Sequence, residues 1–280
     1  MTAGLPLPLS LIAELLALGL IAGFMAGLLG IGGGMLMVPF LTFILARRGV
    51  EPGLAIKMAI ATSMATILFT SLSSLRAHQR QGGIRWDVVR GLAPGILLGG
   101  LSSGAGVFAL LKGQGLGLLF AAFLAYSALR MLQGRPAVPG RQLPGWAAQT
   151  AVGGGIGFIA GLVGAGGAFL SVPYMTRCNV PIRQAVATSA ALGFPIALAN
   201  TTGYLIGGWG LPPALPGASG YLYLPALALI ASASVTMAPL GARIAHRIDM
   251  RLLRRIFALL LLALSASMLF NAFGASPPLT

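Results

Sequence analysis

Two clusters of glycine interrupt apolar sequence, and they are the feature best suited to binding a ligand. The clusters comprise Gly30, Gly32, Gly33 and Gly34, and then Gly164, Gly166 and Gly167. Adjacent glycines weaken a helix by about 1 kcal/mol each and permit positive φ. In lipid, a broken helix is tolerated only inside protein or beside a wet cavity. A half-helix that begins after the break presents free N–H groups and a positive dipole end, which favour an anion.

Close helix–helix packing is the alternative interpretation of these clusters, because small residues at such spacing are common at helix interfaces in membranes. The two clusters are related to each other, however. Residues 23–39 and 157–173 are identical at 11 of 17 positions with a constant offset of 134, and each cluster is followed by Val-Pro. This repetition favours the interpretation in which both helices are broken and the breaks form a binding site.

Paired hydroxyl side chains are a second repeated feature. Thr62 and Ser63 end the sequence Ala-Ile-Ala-Thr-Ser, and Thr188 and Ser189 end Ala-Val-Ala-Thr-Ser at an offset of 126. These hydroxyls can donate to a solute oxygen, or they can bond to the carbonyl one turn back, which is commoner in membrane helices. Asn200 lies deep in a later apolar segment and should face the protein interior, because an unpaired amide is costly in lipid. All five are candidate ligands.

Charged side chains at membrane depth are scarce. Lys57 and Arg76 lie at opposite ends of one apolar segment and could attract an anion at the outer and inner mouths, with His78 beside Arg76. Glu14 is interpreted as an interfacial carboxylate, with a proton site as the alternative. A cation site in lipid normally recruits a carboxylate, so the scarcity of acids predicts an anionic substrate. The chain has four acids: Glu14, Glu51, Asp87 and Asp249.

Composition places the chain in a membrane. Hydrophobic residues make up 57% of it, charged residues 8%, and the mean hydropathy is +0.91. A soluble domain carries about 25% charged residues. The net charge of +14 lies in short loops between apolar runs, where basic residues set membrane orientation, so no nucleic-acid partner is expected. The sequence has no metal-ligand spacing and no two acids close together, so an enzyme is not expected. No cofactor is expected either.

The apolar runs define two repeats. Repeat one covers residues 9–132, a linker rich in proline and glycine covers 133–144, and repeat two covers 146–273. Six of the eight apolar segments are plausible single spans, whereas the first and fifth exceed the roughly 20 residues of a span and contain the glycine clusters. The eight segments are 7–46, 54–75, 86–110, 115–132, 146–176, 184–207, 221–246 and 252–273.

The distribution of basic residues indicates how the repeats are oriented. If each glycine-cut segment is one span, the halves are parallel and the 18 basic residues divide seven to 11. If each is a hairpin, re-entrant or crossing twice, the second half is inverted; with the N-terminus outside, 14 lie inside and four outside. The positive-inside rule favours the second arrangement. The predicted fold is an all-α polytopic membrane protein of two inverted-topology repeats with glycine-broken, discontinuous or re-entrant helices.

These motifs resemble a known family. Gly-Leu-Leu-Gly-Ile-Gly-Gly-Gly followed by Val-Pro, the later Ala-Thr-Ser, and the repetition of both are similar to the TauE/SafE family of sulfite exporter or toluenesulfonate-uptake type permeases. The resemblance covers roughly residues 9–273, although Ala165 and Ala168 replace Ile31 and Gly34 in the second cluster. It implies a secondary transporter, a permease or exporter of small sulfur-containing anions such as sulfite, sulfoacetate or related organosulfonates, in the cell inner membrane.

Two other functions stay open at this point. One is a passive anion channel, which needs a continuous polar pathway, and the other is a non-transporting membrane assembly factor. The expected partners are a small anionic substrate and the lipid bilayer, and coupling to a proton stays open. The number of subunits, the exact substrate and the direction of transport do not follow from the sequence.

Overall fold

The computed structural model of the protein describes residues 7–29, 33–80, 82–133, 142–244 and 250–274. A short antiparallel hairpin of β1 (Ala218–Ser219) and β2 (Leu222–Tyr223) precedes the ninth helix. The helices in chain order are α1 (Leu9–Leu29), α2 (Gly34–Arg47), α3 (Pro52–Arg80), α4 (Trp86–Leu110), α5 (Gly113–Gln133), α6 (Trp146–Val163), α7 (Ala168–Arg177), α8 (Ile182–Gly207), α9 (Leu224–Ile244) and α10 (Met250–Gly274).

The helices are those of a membrane protein. Within the described part of the chain, seven helices are long and apolar enough to cross a bilayer, namely α1, α3, α4, α5, α6, α8 and α9. Shorter apolar stretches occupy α2 and residues Arg255–Phe270 of α10. A span needs about 20 apolar residues to cross a hydrocarbon core of about 30 Å. The prediction of an all-α polytopic membrane protein is therefore confirmed.

Both glycine-cut segments are interrupted. α1 ends at Leu29 and α2 begins at Gly34, with residues 30–32 outside the described ranges, and α6 ends at Val163 before α7 begins at Ala168. With 14 and 10 residues, α2 and α7 extend about 21 and 15 Å at 1.5 Å per residue. Neither is long enough to cross the membrane, so each segment is a long helix followed by a short one.

The two halves pack against each other through helices that contact the opposite half. α1 packs most extensively against α9, and the equivalent helix α6 packs most extensively against α4. α3 packs along its equivalent α8, and α5 along its equivalent α10. α3 is the most buried of the seven candidate spans, followed by α8. The Thr-Ser pairs, which lie on α3 and α8, are therefore in the interior. The linker between the halves joins α5 to α6, and its residues 134–141 lie outside the described part.

Glycine allows α4 and α6 to approach closely. A Cβ at Gly95 would overlap the carbonyl of Thr150, and a Cβ at Gly157 would overlap the carbonyl of Ile96. Lipid supplies no hydrophobic driving force between helices, so close backbone packing is a main source of attraction. The packing interpretation of small residues thus holds for these glycines, which lie outside the two clusters.

Candidate functional site

The two helix breaks contact each other. A Cβ at Gly34 would overlap the carbonyl oxygen of Gly164 and would lie 3.4 Å from the Cα of Ala165. Gly33, Gly164 and Gly167 have positive φ angles of 68°, 61° and 72° at the breaks. Such angles are strained for any residue with a Cβ, which explains the glycines. Two segments separated by 134 residues in sequence therefore form one structural unit.

The first turn of α7 follows directly after the second break. The N–H groups of Leu170 and Ser171 donate to the carbonyl of Gly167 at 3.0 and 2.9 Å. The N–H groups of Ala168 and Phe169 precede the first intrahelical bond, so they have no acceptor within the helix. Together with the helix dipole, they provide a partial positive charge at the break.

A narrow cavity of about 30 Å³ lies against this break. That volume holds about two water molecules. Its lining includes Ala168 and Gly166 of the break and the imidazole of His78. Four hydroxyl residues also line it, namely Thr70, Ser71, Ser74 and Ser189. No carboxylate of the described residues lines the cavity, so its polar surface consists of hydroxyl, imidazole and backbone groups.

Ser189 contributes a buried hydroxyl to the cavity. Its Oγ lies 2.8 Å from the Oγ of Ser171, and both residues are buried. Either hydroxyl can donate in that pair, and when Ser171 donates, the proton of Ser189 is available to an anion in the cavity. By contrast, Thr70 and Ser71 donate to carbonyls one turn back in α3, at 3.3 and 3.0 Å.

Thr62 and Thr188 hold equivalent positions outside the cavity. The Oγ1 of Thr62 accepts a 3.0 Å hydrogen bond from the backbone N–H of Tyr223, the residue before α9. The Oγ1 of Thr188 accepts a 3.0 Å bond from the N–H of Arg85, the residue before α4. Each threonine thus anchors the start of a helix in the opposite half. The neighbouring Ser63 is buried, and its Oγ has no partner among the described residues.

Asn200 is fully buried and lies in a polar cluster of the second half. Its Nδ2 donates to the carbonyl one turn back at 2.8 Å and to the carbonyl of Gly157 at 3.3 Å. Its Oδ1 has no partner within the described ranges. One turn later, Tyr204 donates to the carbonyl of Gly161, and its ring lies 4.4 Å from that of Phe108. This cluster fills the space between α4, α6 and α8.

Most of the chain matches the model of a known family. The family described as Sulfite exporter TauE/SafE matches residues 15–268. The chain belongs to the TauE/SafE family. A probable membrane transporter protein of Haemophilus influenzae is 33% identical over 257 residues, covering 90% of this chain and 96% of that protein. Another, from Methanocaldococcus jannaschii, is 28% identical over 255 residues, covering 88% and 91%.

A third relative is the probable membrane transporter protein YunE of Bacillus subtilis, 29% identical over 284 residues, covering 92% of this chain and 97% of that protein. No solved structure matches the chain. The family and the relatives show that the protein is a multi-pass membrane transporter, and they point away from an enzyme. The resemblance drawn from the glycine motifs is confirmed.

The two candidate mouth residues of this TauE/SafE protein differ in their surroundings. Lys57 donates from Nζ to the carbonyl of Ala109 at 2.9 Å and lies 6.0 and 5.5 Å from the ring centroids of Phe108 and Tyr221, within cation–π distance. Arg76 is exposed and lines a groove beside the cavity.

Of the candidate ligands, the cavity brings together Gly166 and Ser189. Gly33, Gly34, Gly164 and Gly167 form the breaks themselves, and Gly30 and Gly32 lie outside the described residues. The sequence reasoning missed the hydroxyls Thr70, Ser71 and Ser74. Together with His78, these residues follow helical spacing and lie on one face of α3. That spacing could have been recognised in the sequence.

Proposed function

We propose that this TauE/SafE protein is a secondary transporter that carries a small sulfur-containing oxyanion, such as sulfite or a related organosulfonate, across the cell inner membrane. The observation that carries the proposal is the chemistry of the cavity. Its lining combines Ser189, three further hydroxyl residues and Ala168 at the start of α7, and no described carboxylate lines it. Hydrogen-bond donors and a helix N-terminus suit an anion. A cation would need a carboxylate at this depth.

The size of the cavity favours a compact substrate. At about 30 Å³, it admits about two water-sized groups in this conformation. Sulfite, with four heavy atoms, exceeds this space by less than an organosulfonate with a long carbon chain does. The description of the matching family also names sulfite.

A comparison of the halves supports a carrier over a channel. At the offset of 126 between the Thr-Ser pairs, Ser74 and His78 of α3 correspond to Asn200 and Tyr204 of α8. In the first half these positions line the cavity, whereas in the second half Asn200 and Tyr204 fill the corresponding space and are fully buried. A site open at one end and closed at the other is the arrangement that alternating access requires.

The number of helices in each half is consistent with inverted halves. In the described part of the chain, each half contributes five helices, α1–α5 and α6–α10. If successive helices alternate in direction, an odd number places the start of α6 on the opposite side from the start of α1. The charge split of 14 to four then puts the C-terminal end of α3, and with it the cavity, on the inner side. On this proposal the protein is seen in an inward-facing state.

The test is sulfite binding and flux with a matched pair of serine variants. Ser189→Ala removes a hydroxyl from the cavity, whereas Ser267→Ala removes an exposed hydroxyl that bonds within α10. A hydrogen bond to a charged group contributes about 1.5–3 kcal/mol, so Ser189→Ala should weaken sulfite binding by about tenfold to a hundredfold. Ser267→Ala should bind like the wild type. Calorimetry on purified protein measures both.

The same protein in proteoliposomes separates the alternatives. A carrier gives saturable sulfite flux that responds to an imposed proton gradient if a proton is coupled, a channel gives flux that does not saturate, and an assembly factor gives none. Sulfate, thiosulfate, sulfoacetate and taurine serve as competitors. Specific binding of a cation or a neutral solute, with no binding of any sulfur oxyanion, contradicts the proposal.

A further inference from the structure

A second concave site lies between α3 and α9. It is an open groove of about 650 Å³ that borders the cavity at Ala77 and Pro239. Its basic lining consists of Arg76, Arg80 and Arg243, all of them exposed. We refer to it as the arginine groove.

The arginine groove changes from apolar to basic along its length. On α3, Phe69, Arg76 and Arg80 follow one another at helical spacing on one face. On α9, Val235 and Arg243 lie two turns apart, again on one face. In both helices the apolar residue comes first and the arginine lies at the C-terminal end. One end of the groove is therefore cationic, and the other is hydrophobic.

The cations of the groove have no anionic counterpart in the described structure. The ion pair formed by the described residues joins Arg85 and Asp87, which are not part of the groove. Three like charges in one groove repel each other, and an anion bound among them relieves that repulsion. The groove thus has the charge and the apolar surface to hold an amphipathic anion.

We propose that the arginine groove binds an anionic phospholipid, with its phosphate among the three arginines and an acyl chain along Phe69 and Val235. The dimensions agree with this occupant. From Phe69 to Arg80, α3 rises about 16 Å, close to half of the roughly 30 Å hydrocarbon core and so to one leaflet. Basic pockets between transmembrane helices are a recurrent way of binding anionic headgroups. The inference does not depend on which solute the protein carries.

The test compares two triple variants with equal loss of charge. Arg76→Gln, Arg80→Gln and Arg243→Gln together remove the cations of the groove. Arg90→Gln, Arg177→Gln and Arg183→Gln remove three other exposed arginines. Native mass spectrometry of detergent-purified protein, titrated with phosphatidylglycerol and with phosphatidylcholine, gives the affinities.

The wild type and the control variant should both prefer phosphatidylglycerol. Each arginine near the membrane surface should strengthen binding about fivefold. The groove variant, which lacks three arginines, should therefore bind phosphatidylglycerol roughly a hundredfold more weakly. Far-ultraviolet circular dichroism checks that both variants retain their helices. Equal affinity of the groove variant and the wild type overturns the proposal, as does an equal loss in the control, which would mean a response to net charge alone.

A soluble probe distinguishes a lipid site from a free-phosphate site. Glycerol 3-phosphate carries the headgroup chemistry without acyl chains, and Phe69→Ser removes apolar contact without changing charge. For a lipid site, Phe69→Ser weakens phosphatidylglycerol binding and millimolar glycerol 3-phosphate displaces little lipid. Complete displacement by glycerol 3-phosphate, with Phe69→Ser binding lipid as the wild type does, assigns the groove to a free anion and rejects the lipid.

Discussion

At the scale of single residues, glycines of this chain serve two distinct purposes. In the breaks, Gly164 and Gly167 adopt positive φ and turn the chain. Gly34 has ordinary helical geometry, but it lies against the backbone of Gly164, where a side chain would not fit. Gly155 of α6 serves neither purpose, because a Cβ there would meet nothing within 4 Å. The two purposes cannot be told apart by residue type, and only the contacts distinguish them.

We predict opposite effects for two glycine substitutions. Gly34→Ala forces a methyl group against the carbonyl of Gly164, and overpacking of this kind costs about 1–3 kcal/mol. Gly155→Ala replaces glycine within a helix at an open site, where alanine is more favourable by up to about 1 kcal/mol. Thermal unfolding of the purified variants should show Gly34→Ala several degrees below Gly155→Ala. Equal melting temperatures would mean that the two breaks do not pack as described.

At the scale of helices, two threonines connect the halves. Thr62 of α3 accepts the N–H of Tyr223 ahead of α9, and Thr188 of α8 accepts the N–H of Arg85 ahead of α4. Both hydroxyls are fully buried, so each satisfies a backbone donor at the start of a helix. These equivalent bonds give the threonine of the Ala-Thr-Ser motif the same structural role in both halves.

The anchoring bond predicts a loss of stability for Thr62→Val. Valine has nearly the shape of threonine but cannot accept the N–H of Tyr223, and an unsatisfied buried donor costs about 1–3 kcal/mol. Thr62→Ser retains the acceptor and should lose less. Chemical denaturation followed by circular dichroism compares them. If Thr62→Val instead keeps its stability while sulfite affinity falls, the residue is a ligand, as the sequence indicated.

At the scale of the molecule, the arrangement of the halves determines which loops share a side of the membrane. The hairpin at residues 218–223 and the end of α3 lie on opposite sides if the repeats are inverted, and on the same side if each glycine-cut segment is a single span. α1 of the first half packs against α9 of the second, and α6 of the second half packs against α4 of the first. The two halves therefore share extensive helix packing.

Cysteine labelling tests this arrangement. Cys178 is the only cysteine in the sequence, and Cys178→Ser provides a background without thiols. In that background, Ser219→Cys and Gln79→Cys each place a thiol at an exposed position. A membrane-impermeant maleimide added to intact cells should label Ser219→Cys alone, and inside-out vesicles should show the reverse. Labelling of both from the same side would establish parallel halves.

The sequence by itself determined the class of the protein, because hydropathy and the glycine repeat depend only on local composition. The apolar runs predicted the membrane helices, since a bilayer requires each span to satisfy its own backbone. The duplication over residues 23–39 and 157–173 located both breaks to within a few residues, because adjacent glycines oppose a continuous helix wherever the chain later folds. The same motif identified the family.

Only the tertiary structure decided which polar groups meet at the cavity. Thr62 and Ser189 are equally plausible ligands in sequence. In the structure, however, Thr62 accepts a hydrogen bond from a backbone N–H 161 residues away, whereas Ser189 lines the cavity. Ser74 and Asn200 occupy corresponding positions, but the first is half-buried and lines the cavity, whereas the second is buried against the facing helices. These differences arise from packing between distant segments, which sequence periodicity does not encode. The surroundings of a side chain, as well as its type, determine whether its hydrogen-bonding capacity remains available to a substrate.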